Sequence, residues 1–463
     1  MDYSAFLNQY KDKDPNQLRL KLIKPDMPID ERERIEHFIV GLECRRKFRG
    51  KFRNLLKAFE NFEFPSLLAG EQASHEAVSA YHAEIVKSLP EFPFRHFIDM
   101  TSGLGMDFIA IAGISGGSEK ICRCVALDID VDKSRILGRN LKLIGKGTDG
   151  EIAMAQAIAG DSIEYIRELR KDLSGKINRD SFEDRESFEN NKQNSIEGKN
   201  LIFVDPARRD SGNGRLYDPK DCMPDIPGNL EMIMEVADVL LIKNSPMLEP
   251  TELLKHFPRV RRIHIVSYKN ECKEVLLEIA KNFEGFEGTR IVNIKDSSDS
   301  AGYINEVFNI PSEDSGLTLP SHINHSELEE ALKSELPVYL YEPNAGVMKT
   351  GAWGYLSRCF PDLKKASANT HIFLSRRLYK DFPGRVAVIE ELIDKAAKKR
   401  LKGEKINVVS RNHPLSPEKI ISDIKLKSSP KADRFLYAIT IDDSGKGLPV
   451  MLLTHLLLRN TLA

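Results

Sequence analysis

A chain of 463 residues is too long for one hydrophobic core of ordinary size, so two or three domains are expected. Hydrophobic residues make up 41% and charged residues 30%, which excludes global disorder, and a formal charge of -1 gives no whole-molecule field to attract a polyanion, so any nucleic acid must be held by local patches. The six cysteines include no CxxC pair, the start of the chain lacks a signal-peptide pattern and no apolar run approaches the ~20 residues of a membrane helix, so a reduced, soluble, cytoplasmic protein is expected, without metal or membrane.

Residues 1–90 read as a helical region. Within ERERIEHFIVGLECRRKFRGKFRNLLKAF, Ile35, Phe38, Ile39 and Leu42 fall at three- and four-residue spacings, and a second helix over EQASHEAVSAYHAEIVKSL is expected to be capped near Ser74. From 91 to 310, apolar strand-like runs alternate with helical ones: HFIDM, a helix over about 106–113, CRCVALDI, DKSRILGRNLKLI, AIAG, DSIEYIREL, LIFVD, EVADVLLIKN, EPTELLKHF and RRIHIVSYK. Such alternation implies parallel strands with crossover helices and ligands at the carboxyl ends. The stretch 171–200 is poor in aliphatics and reads as a flexible insertion. Residues 311–390 read as a connecting region and 391–463 as a small α+β domain in the order helix (AVIEELIDKAAKKRLKG), strand, helix, strand, strand.

Two runs carry the chemistry. In FIDMTSGLGMD, Asp99 ends a strand and Gly103 and Gly105 occupy the turn before a helix, where backbone lacking Cβ can approach a ligand and helix N–H groups can meet the methionine carboxylate of S-adenosylmethionine (SAM). Asp99 is placed to accept from the SAM amino group. Asp128 ends CVALD, 23 residues beyond Gly105, where a carboxylate can hold both ribose hydroxyls. Asp161 and Ser162 open the next helix; Asp161 either accepts from the adenine amine or is a plain N-cap. In LIFVDPARRD, Asp205 and Pro206 follow the fourth strand, where Asp205 can orient an acceptor amine and the catalysis is mostly proximity. Arg208 and Arg209 either hold an anion or pair with Asp210, Asp218 or Asp221.

DMTSGLGMD, Asp99 to Asp107, resembles the DxTxGLGxD motif of the bacterial small-subunit ribosomal RNA guanine-N2 methyltransferases, and LLIKNSP, Leu240 to Pro246, is similar to their lysine-bearing fifth strand. DPARR departs from their aromatic-containing turn. Over nearly its full length the chain more closely resembles bacterial class I SAM-dependent methyltransferases with a C-terminal THUMP-like domain, through DPARR, YEPNAGVMKTGAWG (Tyr341–Gly354) and VVSRNHPLSP (Val408–Pro417). The resemblance implies an α/β fold: a Rossmann-like class I methyltransferase domain with an N-terminal helical region and a C-terminal α+β, THUMP-like domain. It implies SAM held by Asp99, Thr101, Gly103, Gly105, Asp107, Asp128, Asp161 and Ser162, with Asp205, Pro206 and Arg208 at the acceptor.

For RNA, ribosomal or transfer, the best patch is the basic helix Cys44–Lys57, with Arg45, Arg46, Lys47, Arg49, Lys51 and Arg53, no acid and two phenylalanines; a solvated helical face is the alternative. His75 and His82 lack a converging carboxylate or cysteine set and do not suggest a metal. Trp353 reads as packing or as a base-stacking residue. The expected activity is SAM-dependent methylation of an exocyclic base nitrogen in RNA, guanine N2 foremost. The alternatives are methylation of an anionic small molecule or protein, and a noncatalytic RNA-binding protein with a vestigial SAM fold.

Overall fold

The computed structural model describes residues 2–113, 123–147, 155–173, 198–208, 219–297, 302–312, 318–427, 429 and 432–458. They fall into two compact units: the first is 1–264, 273–286 and 296–303, the second 265–272, 287–295 and 304–463. Among the described residues no helix is long and apolar enough to cross a membrane.

The first unit begins with six helices: α1 (Tyr3–Tyr10), α2 (Pro15–Leu22), α3 (Ile29–Phe48), α4 (Arg53–Ala58), α5 (Leu67–Gln72) and α6 (Glu76–Ser88). Their starts follow local chemistry. Asp2, Asp14 and Ser66 each accept an N–H of the first turn, and Pro15 opens α2 where a missing N–H costs nothing. The periodic residues Ile39 and Leu42 bury against Phe6, Leu7 and Leu18 in a small helical core. The cap of α6 is His75, next to Ser74 as expected, and its Nδ1 accepts from Ala77 N.

The single basic helix expected over 44–57 is two helices. The chain leaves α3 after Phe48 and re-enters helix at Arg53 because Phe48 and Phe52 both turn into the core, their rings 5.9 Å apart.

The strands of this unit are β1 (His96–Asp99), β2 (Arg123–Asp128), β3 (Ala155–Ala159), β4 (Asn200–Val204), the two-residue pair β5 (Ala207–Arg208) and β6 (Cys222–Met223), β7 (Val239–Asn244), β8 (Val260–Tyr268) and β9 (Glu271–Ala280), the last two crossing the unit boundary. Sheet order runs β3-β2-β1-β4-β7-β9-β8. β1, β2, β3, β4 and β7 pair in parallel and β9 runs antiparallel to β7. Strands such as LIFV and VLLI are buried on both faces, which is why they read as unbroken apolar runs. The connecting helices include α7 (Met106–Ala112), α8 (Val131–Gly147) and α9 (Ser162–Leu173). Parallel pairing sets the carboxyl ends of β1, β2, β4 and β7 along one edge, with Asp99 in register with Ala126 and Phe203.

In the second unit, β10 (Gly288–Asp296) and β11 (Tyr303–Pro311) precede a seven-stranded sheet of order β13-β14-β12-β15-β18-β17-β16. Its strands are β12 (Tyr339–Pro343), β13 (Lys364–Ser367), β14 (Thr370–Ser375), β15 (Gly384–Leu392), β16 (Asn407–Arg411), β17 (Arg434–Asp443) and β18 (Lys446–Leu458). One core cluster joins Leu328, Leu340, Ile372, Tyr437 and Leu452, and another joins Ile406, Ile420, Leu436 and Leu453.

The segment expected to be a connection, 311–390, therefore supplies strands to the same sheet as the last residues. AVIEEL, expected as helix, is the body of β15, because β12 and β18 hydrogen-bond to its two edges. The β17–β18 hairpin turns through Ser444 and Gly445, both at positive φ, the geometry that matches strand twist.

Candidate functional site

The turn after β1 is built on two left-handed glycines, Gly103 at φ +53° and Gly105 at φ +88°. A Cβ on Gly105 would lie 2.3 Å from Leu137 Cδ1, so α8 packs directly on this backbone, whereas nothing lies within 4 Å of a Cβ on Gly103. Gly105 then opens α7. Asp128 reaches across from β2: its Oδ2 accepts from Gly103 N at 3.0 Å and its Oδ1 from Asp130 N at 2.9 Å. Ser102 Oγ beside it is buried and has no hydrogen-bond partner among the described residues.

Asp99 is buried, and its Oδ1 accepts from Thr101 N at 2.9 Å. Burial, reinforced by the nearby carboxylates of Asp107 and Asp205, pushes its carboxyl well above the usual range. Asp161 is exposed, and its Oδ1 caps α9 by accepting from Ile163 N at 2.8 Å and Glu164 N at 3.3 Å, with Ser162 buried behind it.

Asp107, expected with the cofactor residues, is taken up by the protein. Its Oδ2 accepts from Ser74 Oγ at 2.5 Å, and its Oδ1 accepts from Ser79 Oγ at 2.7 Å and bonds His82 Nδ1 at 2.9 Å. His82 is fully buried and bonds Glu274 through its other ring nitrogen. Burial disfavours its cation, but Glu274 and Asp107 outweigh that and raise its pKa to about 10. At neutral pH it is an imidazolium between two carboxylates.

Asp205 follows β4 and is tied to the glycine-turn segment: its N–H donates to Thr101 Oγ1 at 2.6 Å. Its Oδ2 accepts from Lys243 Nζ at 2.5 Å, and the same ammonium donates to Ser74 Oγ at 3.0 Å and lies 4.0 Å from Asp107. Burial works against the Lys243 charge, but Asp205, Asp107 and Glu274 hold its pKa above the ordinary lysine value. The site is thus a run of alternating charges: Glu274, His82, Asp107, Lys243, Asp205. Its open end is Asp205, whose side chain is 40% exposed against 13% for Lys243.

Pro206 follows, half-buried, and the backbone of Arg208 pairs with Cys222 in the β5–β6 hairpin. Arg209, Asp210 and Asp218 lie outside the described residues.

Of these groups, motif reading of the sequence brought out Asp99, Thr101, Asp128 and Asp205, with Lys243 inside a resembling strand. It missed Ser74, Ser79 and Glu274 and set His82 aside. Ser74 and Ser79 lie on or just before α6, and Glu274 is 192 residues from His82, so chain order carries no signal for the cluster.

The basic patch is largely engaged internally. Arg45 donates to the carbonyls of Phe59 and Phe62, Arg46 to that of Lys11, Lys47 pairs with Glu71, and Lys51 donates to the carbonyls of Gly70 and Glu71. Arg49 and Arg53 are exposed. Trp353, in the second unit, stacks on His371 with ring centroids 4.6 Å apart and packs against Phe373.

A family model described as a ferredoxin-like domain matches residues 339–383. No curated protein matches the sequence. Among solved structures, a protein of Porphyromonas gingivalis W83 provisionally described as a methyltransferase aligns with a TM-score of 0.72 and 22% identity, covering 98% of this chain and 97% of that one. An O-methyltransferase from Bacillus cereus in complex with SAH aligns with a TM-score of 0.28 and 13% identity over 44% of this chain and 80% of that one. A provisionally described RNA methyltransferase of Pyrococcus horikoshii aligns at 0.25 and 12% over 49% and 90%. Scores that low do not bear on substrate. The P. gingivalis likeness is one of fold, and the chain has an α/β methyltransferase-type fold followed by an α+β domain of ferredoxin-like character.

Proposed function

We propose that the chain is a SAM-dependent methyltransferase acting on an exocyclic amine of an RNA base, guanine N2 foremost, with the acceptor at Asp205. The observation that carries this reading is the pairing of Asp205 with Lys243 at the carboxyl end of the sheet, joined through Thr101 to the glycine turn. That edge is where open α/β sheets take their ligands.

The residues fit the cofactor. Gly103 leaves free space where a side chain would stand, Ser102 Oγ is an orphaned buried polar atom, and Asp128 stands at the end of β2 for the ribose hydroxyls. Asp99, whose carboxyl is driven up by burial, gains from a cation and would take the SAM amino group. SAM, when bound, supplies an electrophilic methyl group. Asp107 serves in this reading by holding α6, and Asp161 by opening the adenine side of the pocket as well as capping α9.

At the acceptor, Lys243 holds Asp205 Oδ2, leaving Oδ1 to accept from an amine N–H and orient its lone pair. Lys243, kept protonated by its three carboxylates, is a donor and not a base. An acceptor carboxylate oxygen beside an ammonium donor matches a base edge that carries both an amine and a carbonyl, as the edges of guanine and cytosine do. Binding in that geometry converts a bimolecular transfer into an oriented one.

The test is a titration of SAM into wild type and Asp128→Ala, followed by tritium transfer from labelled SAM to cellular RNA. The reading requires that binding is lost in the variant and that label enters RNA with wild type. Label entering protein or small molecules while RNA stays unlabelled would replace the substrate. No SAM binding by wild type would leave a noncatalytic protein.

A further inference from the structure

Two segments marked out by the sequence, Tyr341–Gly354 and Val408–Pro417, take no part in the proposed methyl transfer. In the second unit they meet on one carboxylate. Glu342, at the end of β12, is buried, and its Oε1 accepts from Arg411 Nε at 2.9 Å and lies 2.7 Å from the NH2 nitrogen of the same guanidinium. Its Oε2 accepts from Tyr437 Oη at 2.9 Å and from Arg385 NH1 at 3.3 Å.

β12 and β16 are separated in the sheet by β15, β18 and β17, so this contact requires the sheet to curl back on itself. Asn412 confirms the curl, because its Nδ2 donates to Thr370 Oγ1 on β14 at 3.1 Å. Arg411 is further fixed by the left-handed backbone of Asn412, at φ +52°, whose carbonyl accepts from Thr440.

We infer that Arg385 and Arg411 form a clamp for a phosphate group at the mouth of this curled sheet, with Glu342 and Tyr437 as the buried fixture that aims them. Charge is the first reason. Two guanidiniums share one carboxylate, and among the described residues no second carboxylate bonds either of them, so the cluster carries one surplus positive charge.

Exposure is the second reason. Glu342 is 8% exposed, but Arg385 is 40% and Arg411 52% exposed, so the acid is spent inside while both guanidinium side chains reach solvent; Arg411 NH1 also donates to the Ser410 carbonyl at 3.2 Å. Tyr437 stays a neutral donor, since burial and the adjacent Glu342 push its phenol well up. A pair of planar forks held in place before binding suits a tetrahedral oxyanion better than flexible lysines do. The mouth of a curled sheet is also a usual place for a ligand. The proposal does not depend on the methyltransferase reading of the first unit.

Inorganic phosphate titrated into the full chain at low salt, followed by phosphorus line broadening, tests the clamp. Arg385→Ala is the primary variant, because Glu342 keeps Arg411 and Tyr437 and the fold is retained, which circular dichroism checks. Loss of a charge-assisted bond weakens phosphate by about tenfold, with Arg385→Lys intermediate. Equal phosphate binding by wild type and Arg385→Ala, or none by wild type, overturns the proposal and leaves the arginines as counter-charges of Glu342.

Single-stranded RNA distinguishes the source of the phosphate. If its salt slope falls by about 0.7 in Arg385→Ala, the group is a nucleic acid backbone. If RNA binding is unchanged while inorganic phosphate weakens, it belongs to a small phosphorylated molecule.

Discussion

Lys243 Nζ stands 2.5 Å from the Asp205 carboxylate and 3.0 Å from Ser74 Oγ, so one ammonium joins the β4 terminus to the residue just ahead of α6. Removing it leaves Asp205, Asp107 and Glu274 as neighbouring acids without that cation. Breaking a fully buried pair costs about 3–5 kcal/mol, but Asp205 is 40% exposed and solvent screens part of the change, so Lys243→Met should cost about 1–3 kcal/mol in denaturant unfolding. SAM binding, which the proposed function assigns to the β1 and β2 turns, should change little. Methyl transfer should fall by about 100-fold, the scale of lost orientation at a reacting centre. Unchanged transfer in a folded Lys243→Met protein removes Lys243 from the acceptor site.

The buried His82 cluster sets a pH window. Burial opposes both charges, but His82 and Lys243 hold Asp107 well below the usual carboxylate range, so its contribution is full above its unfolded pKa near 4 and is lost as pH falls further. His82, raised to about 10, contributes fully below about 6.5, the unfolded histidine value, and its contribution fades as pH rises to about 10. Lys51 acts in the opposite sense. Burial, then Lys243 and Lys273, lower its pKa to about 8, so stability gains as pH rises from about 8 toward the unfolded lysine value of about 10.4. The unfolding temperature of wild type should decline from about pH 6.5 to 8 and level off from about 8 to 10, where the His82 and Lys51 contributions oppose each other. His82→Gln should be less stable and flat from about pH 6.5 to 8, and Lys51→Met should keep declining from about 8 to 10. A wild-type curve that rises from about pH 6.5 to 8 would refute the imidazolium.

The parts of the fold legible in sequence are those that short-range physics fixes. LIFV and VLLI are apolar because both faces of a parallel strand are covered; LIFV breaks at Asp205, as β1 and β2 end at Asp99 and Asp128. What could not be read depends on distant partners. Glu274 joins His82 only because β9 inserts antiparallel beside β7, a pairing for which neither strand carries a local mark. AVIEEL spaces its charges as a surface helix would, and only its pairing with β12 and β18, the latter some sixty residues on, makes it a strand. The basic run Cys44–Lys57 hid its own break, since Phe48 and Phe52 suit a helix face as well as a turn into the core.

The two glycines of the first turn should respond differently to alanine. Gly105→Ala meets both a left-handed backbone and Leu137 Cδ1 at 2.3 Å, so the buried Leu137 side chain must give way and stability should fall by about 2 kcal/mol or more. Gly103→Ala has open space and carries only the backbone penalty, about 1 kcal/mol. Its methyl group would stand where the proposed function brings the cofactor, so SAM affinity should drop more than stability does. Calorimetric SAM titration beside denaturant unfolding separates the two. Tight SAM binding by a folded Gly103→Ala protein would move the cofactor away from this turn.

The basic residues ahead of α6 differ in exposure and in the internal bonds they make. Arg45 donates to the carbonyls of Phe59 at 2.9 Å and Phe62 at 3.4 Å, tying α3 to the chain beyond α4, so Arg45→Ala should destabilise by about 1–2 kcal/mol through lost charged hydrogen bonds. Arg49 and Arg53 are exposed, and their replacement by alanine should leave unfolding within about 0.5 kcal/mol of wild type. If RNA lies along this face, each of these two changes should lower the salt slope of RNA binding by about 0.7, the value for one phosphate contact on a single strand. Filter binding from low to moderate salt reads both slopes. Arg46, Lys47 and Lys51, bonded within the protein, should change the slope less than Arg49 because an RNA phosphate must first displace an internal acceptor. Equal slopes for wild type and the Arg49→Ala/Arg53→Ala double variant would make this a solvated face and leave RNA to be held elsewhere.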